Sequence, residues 1–146
     1  MKQLKSLKKI PGIKGIDHIG IAVFSLDQAI DFYELILGAQ LLHKETNHEQ
    51  NVAEAILDLN GTMIQLLAPL SENGAVFDFL KRRGPGIQQI ALTVEDIELA
   101  CSVAKANGIS VVYSEHKAGT LESKINFLHP KNCEGVLFEL VERKVQ

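Results

Sequence analysis

The stretch GIDHIGIAVFSLDQA, residues 15–29, decides the fold because the chain repeats it. GIQQIALTVEDIELA, residues 86–100, aligns with this stretch without a gap, and five positions carry the same residue. In each copy an apolar strand pattern passes into a helical pattern that ends at a glycine, Gly38 or Gly108. Similarity at a fixed offset indicates a duplicated structural unit. We therefore predict two halves with the same topology.

Each half is predicted to contain a strand, a helix and three further strands. In the first half the strands are predicted at 16–23, 40–46, 52–59 and 62–68 and the helix at 27–37. In the second half the strands are predicted at 87–94, 109–114, 123–128 and 136–142 and the helix at 96–106. One βαβββ unit cannot cover both faces of its sheet. The prediction is an α+β fold in which two βαβββ modules form an open eight-stranded barrel-like sheet.

The expected domain organisation follows from this repeat. A single domain covers residues 15–143, with a first βαβββ module over 15–70 and a second over 86–143. A linker helix lies within 71–85. Residues 1–14 are expected to form a solvated basic tail.

The composition limits the classes of function. Hydrophobic residues make up 46% of the 146 residues, so a real core is expected, and the net charge of −3 gives no global basic field for nucleic acid. No stretch is long or apolar enough for a membrane span or a signal peptide. The two cysteines, Cys101 and Cys133, give no disulfide framework. We expect a cytoplasmic protein that binds neither nucleic acid nor membrane.

Four polar residues stand among apolar ones at repeat-related strand positions. The small-residue face of each first strand carries His18 or Gln89, and each last strand carries Gln65 or Glu139. A lone strand glutamine is more often a hydrogen-bonded core residue, but a buried carboxylate needs a cation or strong donors. Four positions related by one repeat therefore predict a shared site. A metal is the natural occupant, because imidazole nitrogen, amide oxygen and carboxylate can all donate a lone pair.

Five segments of the chain resemble the methylmalonyl-CoA epimerase family of the vicinal oxygen chelate, or glyoxalase-like, superfamily. The resemblance covers about residues 15–143, and its last segment is the most specific. The segments are DHIGIAV (17–23), HEQNVAEAIL (48–57), IQLLAPLSE (64–72), GIQQIALTVEDIE (86–98) and INFLHPKNCEGVLFELVE (125–142).

The resemblance implies paired βαβββ modules, a homodimer, an acyl-CoA or related thioester substrate and a divalent metal. His18, Gln65 and Glu139 match metal ligands of the family. The remaining family ligand is the second histidine of a paired HH motif, and this chain has Gln89 there. The catalytic bases of the family match Glu49, in HEQNV, and Glu139.

With these residues, the resemblance implies epimerisation at C2 of a 2-methyl-malonyl thioester through an enolate. A divalent cation stabilises the enolate as a Lewis acid, while one base abstracts a proton and the other delivers one. The amide oxygen of Gln89 is a weaker and harder donor than imidazole. We therefore expect a weakly bound ion, with Co, Mn or Mg favoured over Zn.

Other functions remain open at this stage. The Gln89 substitution also fits a glyoxalase-like relative that acts on another acyl thioester, or a metal-free protein that binds a small molecule. Lys124 is a candidate for binding a substrate carboxylate, although a solvated lysine is the more common case. Deuterium exchange at C2 distinguishes proton abstraction from simple binding.

Overall fold

The computed structural model describes residues 6–145, which form two compact units. The central unit is His18–Gln88. The terminal unit combines the described residues up to Asp17 with those from Gln89 onward. Both unit boundaries fall inside strands. The strands are β1 (Ile13–Ala22) and β5 (Gly86–Val94), and each contributes residues to both units.

The central unit follows the predicted order closely. The helix α1 begins where the side chain of Ser25 accepts a hydrogen bond from the Gln28 amide, and it continues into a π-helical turn. In the sheet β1 and β4 are parallel neighbours and the order is β2-β3-β4-β1. The elements after β1 are α1 (Leu26–Asp31), the π turn (Phe32–Ile36), β2 (Gln40–Asn47), β3 (Val52–Leu59), β4 (Thr62–Pro69) and α2 (Ala75–Arg83).

Apolar residues cover both faces of the central sheet. One cluster joins α1 to β3 and β4, with Leu57 and Leu66 fully buried. A second cluster packs Val76 and Leu80 of α2 against Val52 and its neighbours. The segment predicted as a linker helix is therefore part of the central unit, because its apolar side chains fill that core.

The terminal unit repeats the arrangement with shorter strands. The side chain of Asp96 caps its helix by accepting from the Leu99 amide. In the sheet β5 and β8 are parallel neighbours, and the order is β5-β8-β7-β6. The elements after β5 are α3 (Ile97–Ala106), β6 (Lys117–Ala118), β7 (Lys124–Leu128) and β8 (Phe138–Glu142). The predicted α+β class with two βαβββ modules is confirmed.

The strand predicted at 109–114 was wrong. This segment follows β7 through isolated contacts, and the side chain of Asn126 takes the place of a backbone ladder at Tyr113. The amide of Asn126 donates to the Tyr113 carbonyl, and its oxygen accepts from the Tyr113 N–H, both at 3.0 Å. A side chain that satisfies backbone groups removes the need for regular pairing. The second strand of this half is therefore only the two-residue β6.

The described part of the basic N-terminal segment packs on the terminal unit, whereas we expected a solvated tail. The Lys8 amide donates to Asn107 Oδ1 at 2.9 Å, and Asn107 Nδ2 donates to the Lys8 carbonyl at 2.6 Å. Ile10 contacts the core beside α3, and the Gly12 carbonyl accepts from Glu95 N. Residues 1–5 of the expected tail lie outside the described residues. Among residues 6–145, every helix is too short or too polar to cross a bilayer.

Gly119 tests the packing of the terminal unit. A Cβ at this position would overlap Ile125 Cγ2 and lie 2.6 Å from Ser123 Oγ. We expect Gly119→Ala to destabilise the protein by about 1–3 kcal/mol through overpacking. For a chain of this size the melting temperature should fall by roughly 2–4 °C per kcal/mol.

Gly86→Ala is the matched control, because a Cβ at Gly86 meets nothing within 4 Å. We expect this variant to melt within about 2 °C of the parent. Equal melting temperatures for the two variants would contradict the close packing at Gly119.

Candidate functional site

One face of the central sheet carries His18 and Gln65. Burial alternates along β1, so that His18, Gly20 and Ala22 are buried on this face. Gly20 lies opposite Gln65 in the register of β1 and β4, and opposed residues of a sheet point to the same side. His18 is 4% exposed and Gln65 is 3% exposed, and the imidazole Nε2 is buried. Ala22 at the end of the strand packs in the apolar cluster that α2 covers. We call this surface the His18 face.

Glu54 on β3 also belongs to the His18 face, and the sequence analysis missed it. It lies opposite Leu67, two residues beyond Gln65 on β4, so its side chain points to the same side. Only 4% of Glu54 is exposed. The signal was present in the sequence, since VAEAILDL (52–59) places a glutamate between alanines inside an apolar strand. A buried carboxylate on a face with imidazole and amide groups is a candidate acid or base.

Glu49 lies in an exposed turn between β2 and β3. The turn is fastened by Asn51, whose Nδ2 lies 2.8 Å from Ser71 Oγ, 2.9 Å from the Asn73 carbonyl and 3.0 Å from Asn73 Oδ1. The Asn51 carbonyl accepts from Leu70 N at 3.1 Å. These contacts hold the turn that carries Glu49 against the segment after β4. Glu49, the base that the family resemblance implies, is therefore exposed to solvent, whereas Glu54 is buried.

In the terminal unit Gln89 and Glu139 form a buried pair. Glu139 lies opposite Ala91 in the register of β5 and β8, so Gln89 and Glu139 share a face. Each is 5% exposed, and Gln89 Nε2 donates to Glu139 Oε1 at 2.8 Å. The donor of this hydrogen bond is the NH2 group of the Gln89 amide. The amide oxygen of Gln89 therefore faces away from Glu139 Oε1 and can serve as a donor to a cation.

Lys124 lies away from the Gln89–Glu139 pair. Phe127 on β7 is opposite Glu139, and strand alternation puts Lys124 on the other face of β7. Its ammonium group lies 3.6 Å from Glu142 Oε2, and 52% of the side chain is exposed. An exposed ion pair contributes little to stability. Lys124 is thus a surface residue in this structure, and its predicted role in substrate binding finds no support from its position.

Arg143 organises a loop that the sequence analysis did not connect with the site. Its guanidinium donates to both carboxylate oxygens of Asp17, at 2.6 and 3.2 Å, and to the Thr120 carbonyl at 2.9 Å. The next two residues, Leu121 and Glu122, have φ of 57° and 59°, a region in which side chains other than glycine are strained. The contact to Thr120 therefore ties this strained loop, which precedes β7, to Arg143 at the end of β8.

The cysteines are unsuited to nucleophilic chemistry. Cys101 lies on the buried side of α3, and burial raises the pKa of its thiol. Burial also raises the pKa of Cys133. Because the thiolate is the nucleophile, a raised pKa keeps both groups protonated at neutral pH.

Metal donors in the described residues are divided between the two units. Across residues 6–145 there is no group of three or more His, Cys, Asp or Glu side chains that could hold an ion. The central unit offers the His18 imidazole and the Gln65 amide, and the terminal unit offers the Gln89 amide and the Glu139 carboxylate. Nitrogen and oxygen donors of these types suit a divalent cation of intermediate or hard character.

Known proteins share both the sequence and the fold. Residues 17–127 match the Glyoxalase/Bleomycin resistance protein/Dioxygenase superfamily. Human mitochondrial methylmalonyl-CoA epimerase is 36% identical over 126 residues, which are 86% of this chain and 72% of the human protein. The structure of methylmalonyl-CoA epimerase from Mycobacterium tuberculosis is 42% identical with a TM-score of 0.88, and the match covers 98% of this chain and 97% of that chain. A methylmalonyl-CoA epimerase in complex with methylmalonyl-CoA and NH4+ is 39% identical with the same TM-score, over 91% and 96% of the two chains.

The Asn51 contacts predict a measurable effect on the turn that carries Glu49. Asn51 has φ of 57°, a conformation that glycine adopts freely. Asn51→Gly should keep the backbone and lose the side-chain contacts, so we expect faster amide hydrogen exchange over residues 48–51 and a loss of about 1 kcal/mol. Asn51→Ala should cost about 1 kcal/mol more, because alanine is strained at this φ.

Asn60→Gly is the control, since Asn60 is an exposed turn residue with φ of 51° outside these contacts. This substitution should leave hydrogen exchange at residues 48–51 unchanged. If Asn51→Gly behaves in the same way, the side chain of Asn51 does not hold the turn.

Proposed function

Because the chain belongs to the Glyoxalase/Bleomycin resistance protein/Dioxygenase superfamily, we propose that it is an epimerase that inverts C2 of methylmalonyl-CoA. The similarity to methylmalonyl-CoA epimerases over most of the chain supports this substrate. The observation that carries the proposal is that each unit buries one glutamate, Glu54 or Glu139, on a sheet face with other polar groups. Buried carboxylates are candidates for acid–base chemistry because burial and neighbouring groups control their protonation.

The reaction needs a base that removes the C2 proton and an acid that returns a proton to the opposite face of the carbanion. The thioester carbonyl takes up the electron pair as an enolate. We propose Glu139 as one of these groups. The hydrogen bond from Gln89 Nε2 fixes one carboxylate oxygen of Glu139, which restricts the orientation of the other. This pre-organisation reduces the cost of reaching the geometry for proton transfer.

For the second group we propose Glu49, the candidate that the family resemblance implies, with Glu54 as the alternative. A base works best where bulk water does not compete for the proton, and Glu54 is 4% exposed whereas Glu49 is exposed. Glu54 also shares the His18 face, while Glu49 lies in the fastened turn. These properties make Glu54 the alternative to test beside Glu49.

We propose His18, Gln65, Gln89 and Glu139 as the ligands of a weakly bound divalent ion. When bound, the ion would supply Lewis-acid stabilisation of the enolate oxygen. The buried Nε2 of His18 and the oxygen of Gln89 that faces away from Glu139 Oε1 fit such a role. One nitrogen donor and three oxygen donors favour Co, Mn or Mg over Zn.

We further propose a cytoplasmic homodimer. The two free cysteines agree with a reducing compartment. Large apolar side chains are exposed around α1 and the π turn of the central unit, and such a patch commonly marks an interface. They are Phe24, Phe32, Leu35 and Ile36.

Deuterium exchange tests the reaction. With racemic methylmalonyl-CoA in D2O, the protein should place deuterium at C2, which mass spectrometry detects. Glu49→Gln and Glu139→Gln should each slow exchange by about 10²-fold or more, because each removes a proton-transfer group. Glu72→Gln, at an exposed glutamate in the segment after β4, should remain near the parent rate and serves as the matched glutamate control.

A parent protein that binds the thioester tightly without exchange would contradict the epimerase and support a binding protein. If exchange is lost in Glu49→Gln and kept in Glu54→Gln, Glu49 is the base. Incubation with other 2-substituted malonyl thioesters in the same assay measures the acyl specificity.

The ligand role of Gln89 predicts a gain of affinity on restoring imidazole. Gln89→His should raise the affinity for Co²⁺ or Zn²⁺ about 10–100-fold, since imidazole binds these ions better than an amide oxygen. Titration calorimetry and the Co²⁺ absorption spectrum measure this change.

Gln88→His is the control, because Gln88 points to the opposite face of β5. It should bind the ions no better than the parent protein. Equal gains for the two variants would mean that Gln89 is not aimed at an ion site.

A further inference from the structure

The side chain of Lys117, on the edge strand β6, shares a sheet face with Glu139. Lys117 lies opposite Ile125 of β7, and Ile125 lies opposite Val141 of β8. Val141 is two residues from Glu139 on the same strand, so strand alternation puts both side chains on one side. By the same rule Lys124, which precedes Ile125 on β7, points to the opposite face. Register therefore puts Lys117, and not the predicted Lys124, on the face that carries Glu139.

Two aromatic rings connect the position of Glu139 with that of Lys117. Phe127 lies directly opposite Glu139 in the register of β7 and β8, so the two side chains are cross-strand neighbours on one face. The ring of Tyr113 meets the ring of Phe127 edge to face, with centroids 6.0 Å apart. Lys117 Nζ lies 5.6 Å from the centroid of the Tyr113 ring. A carboxylate, two rings and an ammonium group are therefore consecutive neighbours across this face.

The aromatic neighbours do not neutralise the charge of Lys117. A ring attracts a cation through its quadrupole and carries no net charge of its own. Lys117, Tyr113 and Phe127 are each partly buried, and the cross-strand neighbour Ile125 is only 4% exposed. In such surroundings a cation attracts an anion more strongly than it would in bulk water. This part of the terminal unit therefore suits a small ligand that has an apolar portion and a negative charge.

The substrate of the proposed reaction has this combination. A 2-methyl-malonyl thioester carries its methyl group and its free carboxylate on C2, the carbon that exchanges its proton. Placing C2 beside Glu139 therefore puts the free carboxylate one bond away from the reacting carbon. Neighbouring strands are about 4.8 Å apart, so β6 and β8 are separated by about 10 Å. The flexible four-carbon stem of a lysine can span much of this distance and leaves room for a small acyl group.

We propose that Lys117 binds the free carboxylate of the acyl group, with the Tyr113–Phe127 pair as the apolar surface beside it. This inference rests on the proposed function, which supplies the anionic ligand. The ammonium group would act in two ways. It orients the acyl group relative to Glu139, and it reduces the repulsion between the carboxylate and the negative charge of the enolate.

The test compares two thioesters that differ by one carboxylate, racemic methylmalonyl-CoA and propionyl-CoA. Lys117→Met keeps the length of the side chain and removes its charge. We expect the affinity of this variant for methylmalonyl-CoA to fall at least about 10-fold, because a charge-assisted hydrogen bond is lost. Its affinity for propionyl-CoA should stay within about twofold of the parent, since that ligand has no acyl carboxylate. Titration calorimetry measures both affinities at one ionic strength, because salt screens charge pairs.

Two further variants serve as controls. Lys117→Arg keeps the charge and should bind methylmalonyl-CoA within about threefold of the parent. Lys124→Met removes a lysine from the opposite face of β7 and should bind both thioesters as the parent does. Melting temperatures show whether each variant is folded.

Three results would overturn the assignment of Lys117. These are equal losses for the two thioesters in Lys117→Met, which would place Lys117 against the CoA phosphates, no loss for either thioester, and the same selective loss in Lys124→Met. A parent protein without C2 exchange whose Lys117→Met variant shows the selective loss would remove the epimerase and keep the carboxylate site. An active parent whose Lys117→Met variant binds unchanged would remove the carboxylate site alone. A parent that binds neither thioester would remove both proposals.

Discussion

The burial of carboxylates is the constraint on which the structure depends, because each buried carboxylate must replace the hydrogen bonds that it loses with water. Transfer of an ionised carboxylate into a protein interior costs several kcal/mol unless donors or a cation replace the lost hydration. Each unit of this chain buries one glutamate to 5% exposure or less, Glu54 or Glu139. Glu139 receives the amide of Gln89 at 2.8 Å. Stability alone does not readily explain the burial of Glu54 and Glu139. The proposed role of buried carboxylates in proton transfer would explain it.

The duplicated halves have diverged at one buried strand position. Glu54 lies opposite the residue two places beyond Gln65, and Ile125 lies opposite the residue two places beyond Glu139. The same position of the repeat is therefore a buried carboxylate in one half and an aliphatic core residue in the other. Ile125 packs there in an apolar cluster with Ala91 and Val141. A duplicated scaffold thus supplies an asymmetric set of groups, as a reaction with two distinct proton-transfer steps requires.

The segments around the sheets are held by specific polar contacts. Asn51 fastens the turn after β2, and Arg143 fixes the strained loop at Leu121 and Glu122 through Asp17 and Thr120. Both sets of contacts fix backbone that would otherwise be mobile. Both segments contain residues in the left-handed region, where side chains other than glycine are strained. Strain of this kind persists only where the surrounding structure holds it. These loops are therefore more rigid than their exposure suggests.

The sequence by itself determined the duplication, the α+β class and most elements, because strand alternation and helical periodicity are local properties. The buried polar positions of His18, Gln65, Gln89 and Glu139 followed from the same patterns. Only tertiary structure decided that residues 109–114 are irregular, since the side chain of Asn126 replaces the strand ladder there. Strand register likewise decided that Glu54 shares a face with His18. Register and bulges depend on which strands pair, and pairing between distant segments is not encoded in the pattern of either segment alone.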